Sequence, residues 1–209
     1  MAHQLVDKWV EALVAARATS ARYGPPTDRP STRDEAYQIQ AGVARRVGPV
    51  GGFKTARKGD APPIMAPIFA AGIVPTGAQV DVSDMLGIEL EIGFEIVEDC
   101  PADLGSLRLS ELGKLLLPVA VIELVDTRVQ GPFAGDEIVK LTDNQINAGL
   151  VVGAAATDWS GSDFGKVNAR LQTGEDIILD GQTSVPGGSA LDTFASFARQ
   201  IGMHCGGLK

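Results

Sequence analysis

The stretch at residues 87–99, GIELEIGFEIVED, alternates apolar and acidic residues with the period of a β-strand. Positions i and i+2 of a strand point to the same face, so Glu89 and Glu91 project together, opposite to the apolar Leu90. The segment contains no basic residue that could neutralise these acids. One interpretation is the water-facing side of an antiparallel sheet, since such sheets often leave one face wet. The pattern therefore predicts a strand that carries two neighbouring carboxylates.

A further acid stands in a more demanding setting. Glu123 lies inside the aliphatic run VAVIELVD at residues 119–126, where an isolated carboxylate is expensive to bury. No Lys or Arg lies in that run, and Arg128 follows five positions after Glu123. If this run pairs with the acidic strand, Glu123 joins Glu89 and Glu91, and three carboxylates without a cation raise each other's pKa. A divalent metal would resolve the conflict, and all-oxygen ligation favours Mg²⁺ or Mn²⁺.

The rest of the chain places this strand among other strands and several helices. Helical spacing of apolar residues predicts helices at residues 4–18, 31–47, 109–117 and from about Gly188 onward. The helix at 31–47 opens with Ser31 three positions before Asp34, like a capping box. Strand patterns lie at residues 77–84, 87–98, 119–129 and 146–159, and at 166–183 as a hairpin turning at Thr173 and Gly174. Helices first and strands afterwards predict an α+β fold rather than a doubly wound α/β sheet.

A Gly- and Pro-rich passage, residues 47–67, separates the N-terminal helices from the later strands and cannot be regular throughout. Connections of this length are often functional. Lys54 lies within it, and from residue type alone it would be a solvated loop lysine. We expect one domain over residues 1–209, with a helical part at 1–50 and a β-rich catalytic part at 51–209.

The overall charge excludes some partners. Lys and Arg number 18 against 26 Asp and Glu, and the net charge of −8 offers no electrostatic footprint for nucleic acid or anionic membranes. No apolar run approaches the roughly 20 residues of a membrane helix, and the N-terminus lacks a signal-peptide pattern. We therefore expect a cytoplasmic protein with no nucleic acid and no membrane partner.

The cysteines and histidines exclude the common zinc patterns. Cys100 and Cys205 show no CxxC spacing, and we interpret both as inert thiols. His3 and His204 stand at opposite ends of the chain. That placement excludes an HExxH zinc site and would make a Ser-His triad depend on a terminal residue.

Several segments, taken together and in this order, resemble one family of enzymes: GGFKTAR at residues 51–57, PIFAAGIVP at 67–75, GIELEIGF at 87–94, VAVIELVDTR at 119–128 and LTDNQINAGLVVG at 141–153. They are similar to motifs of the 2-keto-4-pentenoate hydratase / 4-oxalocrotonate decarboxylase branch of the fumarylacetoacetate hydrolase superfamily. The similarity covers roughly residues 5–209. It implies a fold in which N-terminal helices precede a mixed β-sheet or barrel of that superfamily's C-terminal-domain type.

The resemblance also implies a set of site residues. The implied ligands of Mg²⁺ or Mn²⁺ are Glu89, Glu91 and Glu123. The implied catalytic residues are Lys54 and Asp126, and we expect Lys54 to pair with a substrate carboxylate or a developing oxyanion. The implied substrate-binding residues are Arg128, Asp143 and Asn144. From the residues alone, Arg128 could equally be a plain ion-pair partner of Asp126.

The reaction implied by the resemblance is a hydration. A 2-hydroxy-2,4-dienoate of the 2-oxopent-4-enoate type would bind a metal ion that acts as a Lewis acid, and water would add to give a 4-hydroxy-2-oxoacid in aromatic-compound catabolism. A 4-oxalocrotonate-type decarboxylase is the alternative, because loss of CO₂ develops the same enolate. By analogy with relatives we expect a homo-oligomer that acts on a 2-oxoacid, with a decarboxylase or aldolase as a further partner.

Two departures from the family pattern bear on these expectations. Residues 48–88 contain no histidine, whereas hydrolytic members activate water there with a His-Glu dyad, so an acylpyruvate or fumarylacetoacetate hydrolase is disfavoured. The sequence ends at HCGGLK, residues 204–209, where family members continue with a G-D-x-[IV]-x-T-G-[ST] segment and further strands. We therefore expect a fold without its last strands, and a catalytically silent assembly partner is a second alternative. A generic α+β binding domain with a wet acidic face is the third.

Overall fold

The computed structural model describes the chain at residues 2–25, 28–59, 61–82, 84–101, 104–159 and 162–208. Its helices are α1 (Ala2–Thr19), α2 (Arg33–Val47), α3 (Leu109–Leu115), α4 (Glu137–Thr142) and α5 (Ala190–Ile201). Its strands are β1 (Val50–Ala56), β2 (Ile64–Phe69), β3 (Ile73–Pro75), β4 (Gly87–Ile96), β5 (Leu116–Val125), β6 (Asn147–Ala155), β7 (Lys166–Thr173) and β8 (Asp176–Ser184). The predicted α+β fold is confirmed. In the described part of the chain, no helix is long and apolar enough to span a membrane.

The N-terminal helices α1 and α2 pack against each other through one buried cluster. Trp9 and Leu13 of α1 are buried there together with Ile39 and Val43 of α2, because apolar residues recur at three and four positions along both helices. The indole Nε1 of Trp9 also donates to the Asp28 carbonyl at 3.0 Å, so the polar atom of this buried ring has a partner. Burial of these side chains holds the helical layer together.

The start of α2 differs by one residue from the predicted capping box of Ser31 and Asp34. Thr32 is the N-cap, and its hydroxyl accepts a hydrogen bond from Glu35 N at 3.2 Å. The Glu35 carboxylate accepts in return from Thr32 N at 3.2 Å and from Ser31 N at 2.8 Å. The predicted pair is therefore wrong, since the third helical position, which completes a capping box, is occupied by Glu35.

A four-stranded mixed sheet with the strand order β3-β6-β5-β4 forms the middle of the fold. β4 pairs antiparallel with β5, β5 pairs antiparallel with β6, and β3 runs parallel to β6. The VAVIELV and GIELEIG segments do pair, which is the condition for Glu123 to join Glu89 and Glu91, and the pairing places Glu89 directly opposite Glu123. This register decides which acidic side chains meet.

A hairpin of β1 and β2 forms within the Gly- and Pro-rich passage at residues 47–67, and the described residues between the two strands are irregular, as the sequence predicts. Lys54 pairs with Ala66 in this hairpin, so its assignment to a solvated loop is wrong. Strand β1 contains two glycines, and because glycine is depleted in strands, its sequence does not predict a strand. The glycines have a packing reason here, because a Cβ on Gly51 would lie 2.8 Å from Ile73 Cδ1.

The strand predicted at residues 77–84 is wrong. The segment begins with a turn, in which Ala78 N donates to Pro75 O at 3.2 Å, and its described residues form no strand. Ser83 lies outside the described residues. The apolar residues of this alternating pattern are not buried against a core, since Val82 is 51% exposed, so the pattern does not produce a strand.

The remaining predicted elements agree with the structure to within a few residues. The helix predicted at 109–117 ends at Leu115, because Leu116 is already extended at φ −126° and ψ 139° and begins β5 without a loop. The predicted hairpin is confirmed as β7 and β8, and its turn contains Gly174 at a φ of 57° that glycine adopts readily. The last predicted helix is α5, which begins after the N-cap Ser189.

Helix α5 packs on both the β1–β2 hairpin and the acidic edge strand β4, and so holds the two close together. Its Phe194 packs on Phe94 of β4 with ring centroids 5.9 Å apart, and its Phe197 packs on Phe53 of β1 at 5.7 Å. These rings belong to a second apolar cluster, distinct from that of α1 and α2. Since Lys54 follows Phe53 directly, this packing brings a lysine to the acidic strand.

Candidate metal centre

Three carboxylates meet on one face of the β4–β5 pair. Glu89 and Glu91 lie two residues apart on β4 and share a face, and Glu123 stands directly opposite Glu89 on β5. One oxygen from each residue lies within 4.8 Å of the others. Like charges that face each other across strands destabilise a sheet, so this arrangement calls for a cation.

Lys54, from the β1–β2 hairpin, supplies a cation to this acidic cluster. Its Nζ donates to Glu89 Oε2 at 3.0 Å and to Glu123 Oε2, and it lies 3.9 Å from Glu91 Oε1. Although the segment at residues 87–99 contains no basic residue, a lysine distant in sequence reaches its acids through the fold. The pairing of Lys54 with a substrate stays a prediction, since its partners here are the three carboxylates.

The three residues of the acidic cluster, Glu89, Glu91 and Glu123, differ in their exposure to solvent. Glu123 is 0% exposed, whereas the side chains of Glu91 and Glu89 are 33% and 54% exposed. Burial raises the pKa of Glu123 to about 7, although the Lys54 ammonium opposes the shift. Burial also raises the pKa of Glu91. The charge of the cluster near neutral pH therefore depends on its most buried member.

The pKa values of Glu89 and Lys54 shift in the direction that favours their charged forms. Burial pushes the pKa of Glu89 upward, but hydrogen bonds with Lys54 and Glu123 outweigh it and lower the pKa. Burial pushes the pKa of Lys54 downward, but the carboxylates of Glu123 and Glu91 outweigh it and raise the pKa. Lys54 and Glu89 therefore form the ionised pair of the cluster.

Asn147 is a site residue that the sequence analysis missed. It is the first residue of β6, and its Nδ2 donates to Glu123 Oε1 at 2.8 Å. One oxygen of Glu123 thus faces Asn147, and the other faces Lys54. The available signal was an asparagine at the head of the apolar run at 147–153, where a buried amide needs a partner.

A cavity of about 1480 Å³ opens beside the acidic cluster. Strands β1 and β4, the β7–β8 hairpin, α5 and residues 203–208 line it. Lys54, Glu89 and Glu91 form a polar part of the wall, and the ring of Phe194 contributes to an apolar part. Since typical small-ligand sites occupy roughly 300–1,000 Å³, the cavity has room for a small organic acid beside the carboxylates.

Arg128 and Asp143, predicted to bind substrate, form a separate buried network. Arg128 Nε donates to Asp143 Oδ1 at 2.7 Å, and Arg128 N donates to Asp143 Oδ2 at 2.7 Å. Arg17 Nη2 lies 3.6 Å from the same carboxylate, and burial lowers the pKa of Arg17 to about 9. The alternative in which Arg128 pairs with Asp126 is therefore wrong. The substrate-binding roles of Arg128 and Asp143 stay predictions, and their contacts here are those of a structural ion pair.

Asp126 and Asn144 also make contacts away from the acidic cluster. Asp126 Oδ1 accepts from Arg22 Nη2 at 2.8 Å, and the same Arg22 nitrogen donates to the Asp84 carbonyl at 3.0 Å. Asn144 Nδ2 donates to the Pro67 carbonyl at 3.0 Å. The catalytic role of Asp126 and the substrate-binding role of Asn144 stay predictions, because these contacts join separate segments of the chain.

The C-terminal segment brings a histidine and a cysteine to the cavity wall. His204 Nε2 lies 2.9 Å from Oε1 of the buried Gln40, and burial lowers the pKa of His204. Burial raises the pKa of the Cys205 thiol to about 11 and also raises that of Cys100. Both thiols are therefore protonated at neutral pH, which agrees with their interpretation as inert.

The donors of the acidic cluster fit a hard divalent ion. Carboxylates supply oxygen ligands only, which is the donor type that Mg²⁺, Mn²⁺ and Ca²⁺ prefer. Glu89, Glu91 and Glu123 can each offer one oxygen to a single ion, since these oxygens lie within 4.8 Å of one another. One ammonium against three carboxylates leaves negative charge in excess when all are ionised, which a divalent ion would offset.

No protein-family model and no curated protein sequence matches the chain. The fold does match solved structures. The 4-oxalocrotonate decarboxylase from Pseudomonas putida G7 complexed with magnesium and adipate superposes with a TM-score of 0.70 at 18% identity, over 100% of this chain and 86% of that chain. The same enzyme complexed with calcium and acetate gives a TM-score of 0.67 at 18% identity, over 100% of this chain and 85% of that chain. This chain therefore shares the fold of these solved structures.

Proposed function

We propose that this chain is a metal-dependent hydratase that adds water to a 2-hydroxy-2,4-dienoate of the 2-oxopent-4-enoate type, giving a 4-hydroxy-2-oxoacid. The observation that carries the proposal is the convergence of Glu89, Glu91 and Glu123 beside a cavity large enough for a small organic acid. The magnesium and calcium in the solved relatives support a divalent ion. The sequence motifs that contain these residues support the substrate class.

The three glutamates would hold Mg²⁺ or Mn²⁺. When bound, the ion supplies Lewis-acid stabilisation of negative charge on the 2-oxygen of the substrate. Lys54 lies at the cavity wall on a flexible stem, so its ammonium can turn from the carboxylates to donate to a substrate carboxylate or a developing oxyanion. The rings of Phe53 and Phe194 line the same cavity and would pack on the hydrocarbon part of the dienoate. By excluding water, they strengthen the charge contacts beside them.

Decarboxylation of a 4-oxalocrotonate-type substrate is the second candidate. It is favoured by the solved relatives, both of which are 4-oxalocrotonate decarboxylase. Loss of CO₂ leaves an enolate whose charge needs the same stabilisation, so Lys54 and the three carboxylates could serve either reaction. A histidine-activated hydrolase is less well supported, because the histidines of the chain are His3 and His204, and His204 is engaged with Gln40.

Turnover assays with Mn²⁺ separate these candidates. A hydratase removes the ultraviolet absorbance of 2-hydroxy-2,4-pentadienoate without releasing gas, whereas a decarboxylase releases CO₂ from 4-oxalocrotonate. Glu123→Gln should abolish either activity. Glu98→Gln is the matched control, because Glu98 follows β4, is exposed, and belongs neither to the acidic cluster nor to the residues that line the cavity. Failure of the unaltered protein on both substrates at saturating Mn²⁺ would contradict the proposal, and metal uptake without turnover would favour a silent assembly partner.

The assembly of the chain stays a prediction. We propose a homo-oligomer by analogy with relatives, and a decarboxylase or aldolase as a further partner in aromatic-compound catabolism. Light scattering of the purified protein tests the oligomer, and a monomer at micromolar concentration would contradict it.

A further inference from the structure

Asn147 is buried and is held in one orientation by two acceptors. The residue is 5% exposed, and its Nδ2 donates to Glu123 Oε1 at 2.8 Å and to the Gly149 carbonyl at 3.3 Å. Both partners are oxygens, so the nitrogen of the amide must be the atom that faces them. The amide is therefore a fixed donor to Glu123.

The backbone immediately before Asn147 is strained. Asn144, Gln145 and Ile146 have φ values of 53°, 53° and 55°, in the left-handed region that residues with a Cβ rarely adopt and a β-branched one least of all. Such strain persists where the surroundings enforce it, and it concentrates at functional sites. Here the turn is held by Ile146 N, which donates to Asp143 O at 2.9 Å, and by Ile146 O, which accepts from Asp126 N at 2.9 Å.

A register irregularity then sets the direction of the Asn147 side chain. Leu124 of β5 pairs with Gly149, but the next residue, Val125, pairs with Asn147, so Ala148 has no partner on β5. In a regular strand Asn147 would point away from the face that Glu123 shares with its partner Leu150. An extra residue in one strand re-aims the neighbouring side chain, and the 2.8 Å contact with Glu123 is the outcome.

We infer that Asn147 is a positioning residue for the candidate metal centre. Glu123 Oε1 accepts a hydrogen bond from the Asn147 amide, which fixes the orientation of the carboxylate. Glu123 Oε2 therefore faces the centre of the acidic cluster, where it contacts Lys54. A partner that orients a ligand in this way is a common requirement of metal sites. The strained turn and the extra residue place the amide there. The inference rests on the proposed metal-dependent function.

Calorimetric titration with Mn²⁺ tests this role, together with the electron paramagnetic resonance spectrum of the bound ion. Asn147→Leu keeps a similar volume without the donor and should weaken Mn²⁺ binding about 10- to 100-fold with an altered spectrum. Asn147→Ser restores a hydroxyl donor and should recover part of the affinity. Gln172→Leu is the control, because the Gln172 amide is exposed, donates to the Gly174 carbonyl at 2.8 Å and lies outside the residues that line the cavity, so this variant should bind Mn²⁺ like the unaltered protein.

The outcomes separate the inference from the proposed function. Unchanged affinity and spectrum in Asn147→Leu, with Mn²⁺ bound by the unaltered protein, would overturn the positioning role and leave the metal site standing. No Mn²⁺ binding by the unaltered protein would overturn both. Should Asn147→Leu fail to fold, Asn147→Ala decides by the same titration, since it removes the donor with a smaller side chain.

Discussion

Replacing Lys54 with methionine should destabilise the metal-free protein, because it removes the ammonium from the acidic cluster and keeps an apolar stem. The contact most affected is the one with Glu123, since the Lys54 side chain is 13% exposed and that of Glu123 is 0% exposed. Removing one partner of a buried ion pair costs about 3–5 kcal/mol. Glu89 and Glu91 add less, because their side chains are partly solvated.

Protonation of Glu123 should relieve part of this cost. Its pKa is raised to about 7, so it is mostly ionised at about pH 8 and mostly protonated at about pH 5.5. We expect Lys54→Met to lower the free energy of unfolding by about 3 kcal/mol at the higher pH and by clearly less at the lower pH. Saturating Mn²⁺ should stabilise Lys54→Met more than the unaltered protein, since the ammonium no longer competes for the carboxylates.

Urea denaturation in chelator, followed by circular dichroism, measures these differences. Lys140→Met is the matched control, because Lys140 pairs with the exposed Glu137 and its loss should cost less than about 0.5 kcal/mol. A double-mutant cycle with Glu123→Gln isolates the coupling between Lys54 and Glu123. Stability of Lys54→Met within about 0.5 kcal/mol of the unaltered protein at about pH 8, or a cycle without coupling, would show that Lys54 and Glu123 do not form a stabilising buried ion pair.

Other predictions concern pH, the buried ion pair and the helix cap. The folded-state pKa of Glu123 is raised from 4.5 to about 7, so its stabilising contribution is fully present below about pH 4.5 and is lost as the pH rises through about 7. The urea midpoint of the metal-free protein should therefore fall more over this range than that of Glu123→Gln, and equal slopes would count against a buried acid. Arg128→Met should lower the free energy of unfolding in chemical denaturation by about 3 kcal/mol, because it leaves the buried Asp143 carboxylate without this partner. Arg170→Met, which removes an exposed ion pair, should lower it little, and equal losses in the two variants would be inconsistent with their difference in burial. Thr32→Ala should lower the free energy of unfolding by about 1 kcal/mol, measured by thermal melting, and an unchanged melting temperature would show that the Thr32 cap does not stabilise α2.

The acidic part of the site could be predicted from the sequence because it rests on local rules. A period of two places Glu89 and Glu91 on one face, and an acid inside an aliphatic run must find a partner, which led to Glu123. The α+β class follows from the order of helical and strand patterns, and it is confirmed.

Other features of the site depend on long-range packing that the sequence does not display. Lys54 reaches the acids because α5 packs on the β1–β2 hairpin, which a Gly- and Pro-rich composition conceals. Asn147 points to Glu123 because of a left-handed turn and an unpaired residue in β6, and neither has a periodic signature. The strand predicted at 77–84 is wrong because an alternating pattern indicates a strand only where another strand pairs with it, and the described residues of this segment form none.

Anomalous diffraction at the manganese edge, from crystals soaked with MnCl₂, would locate the divalent ion relative to the three carboxylates. We expect a single strong peak within bonding distance of one oxygen each from Glu89, Glu91 and Glu123, with the Lys54 ammonium displaced from the carboxylates. Absence of a peak among these residues, with Lys54 still bound to all three, would contradict it.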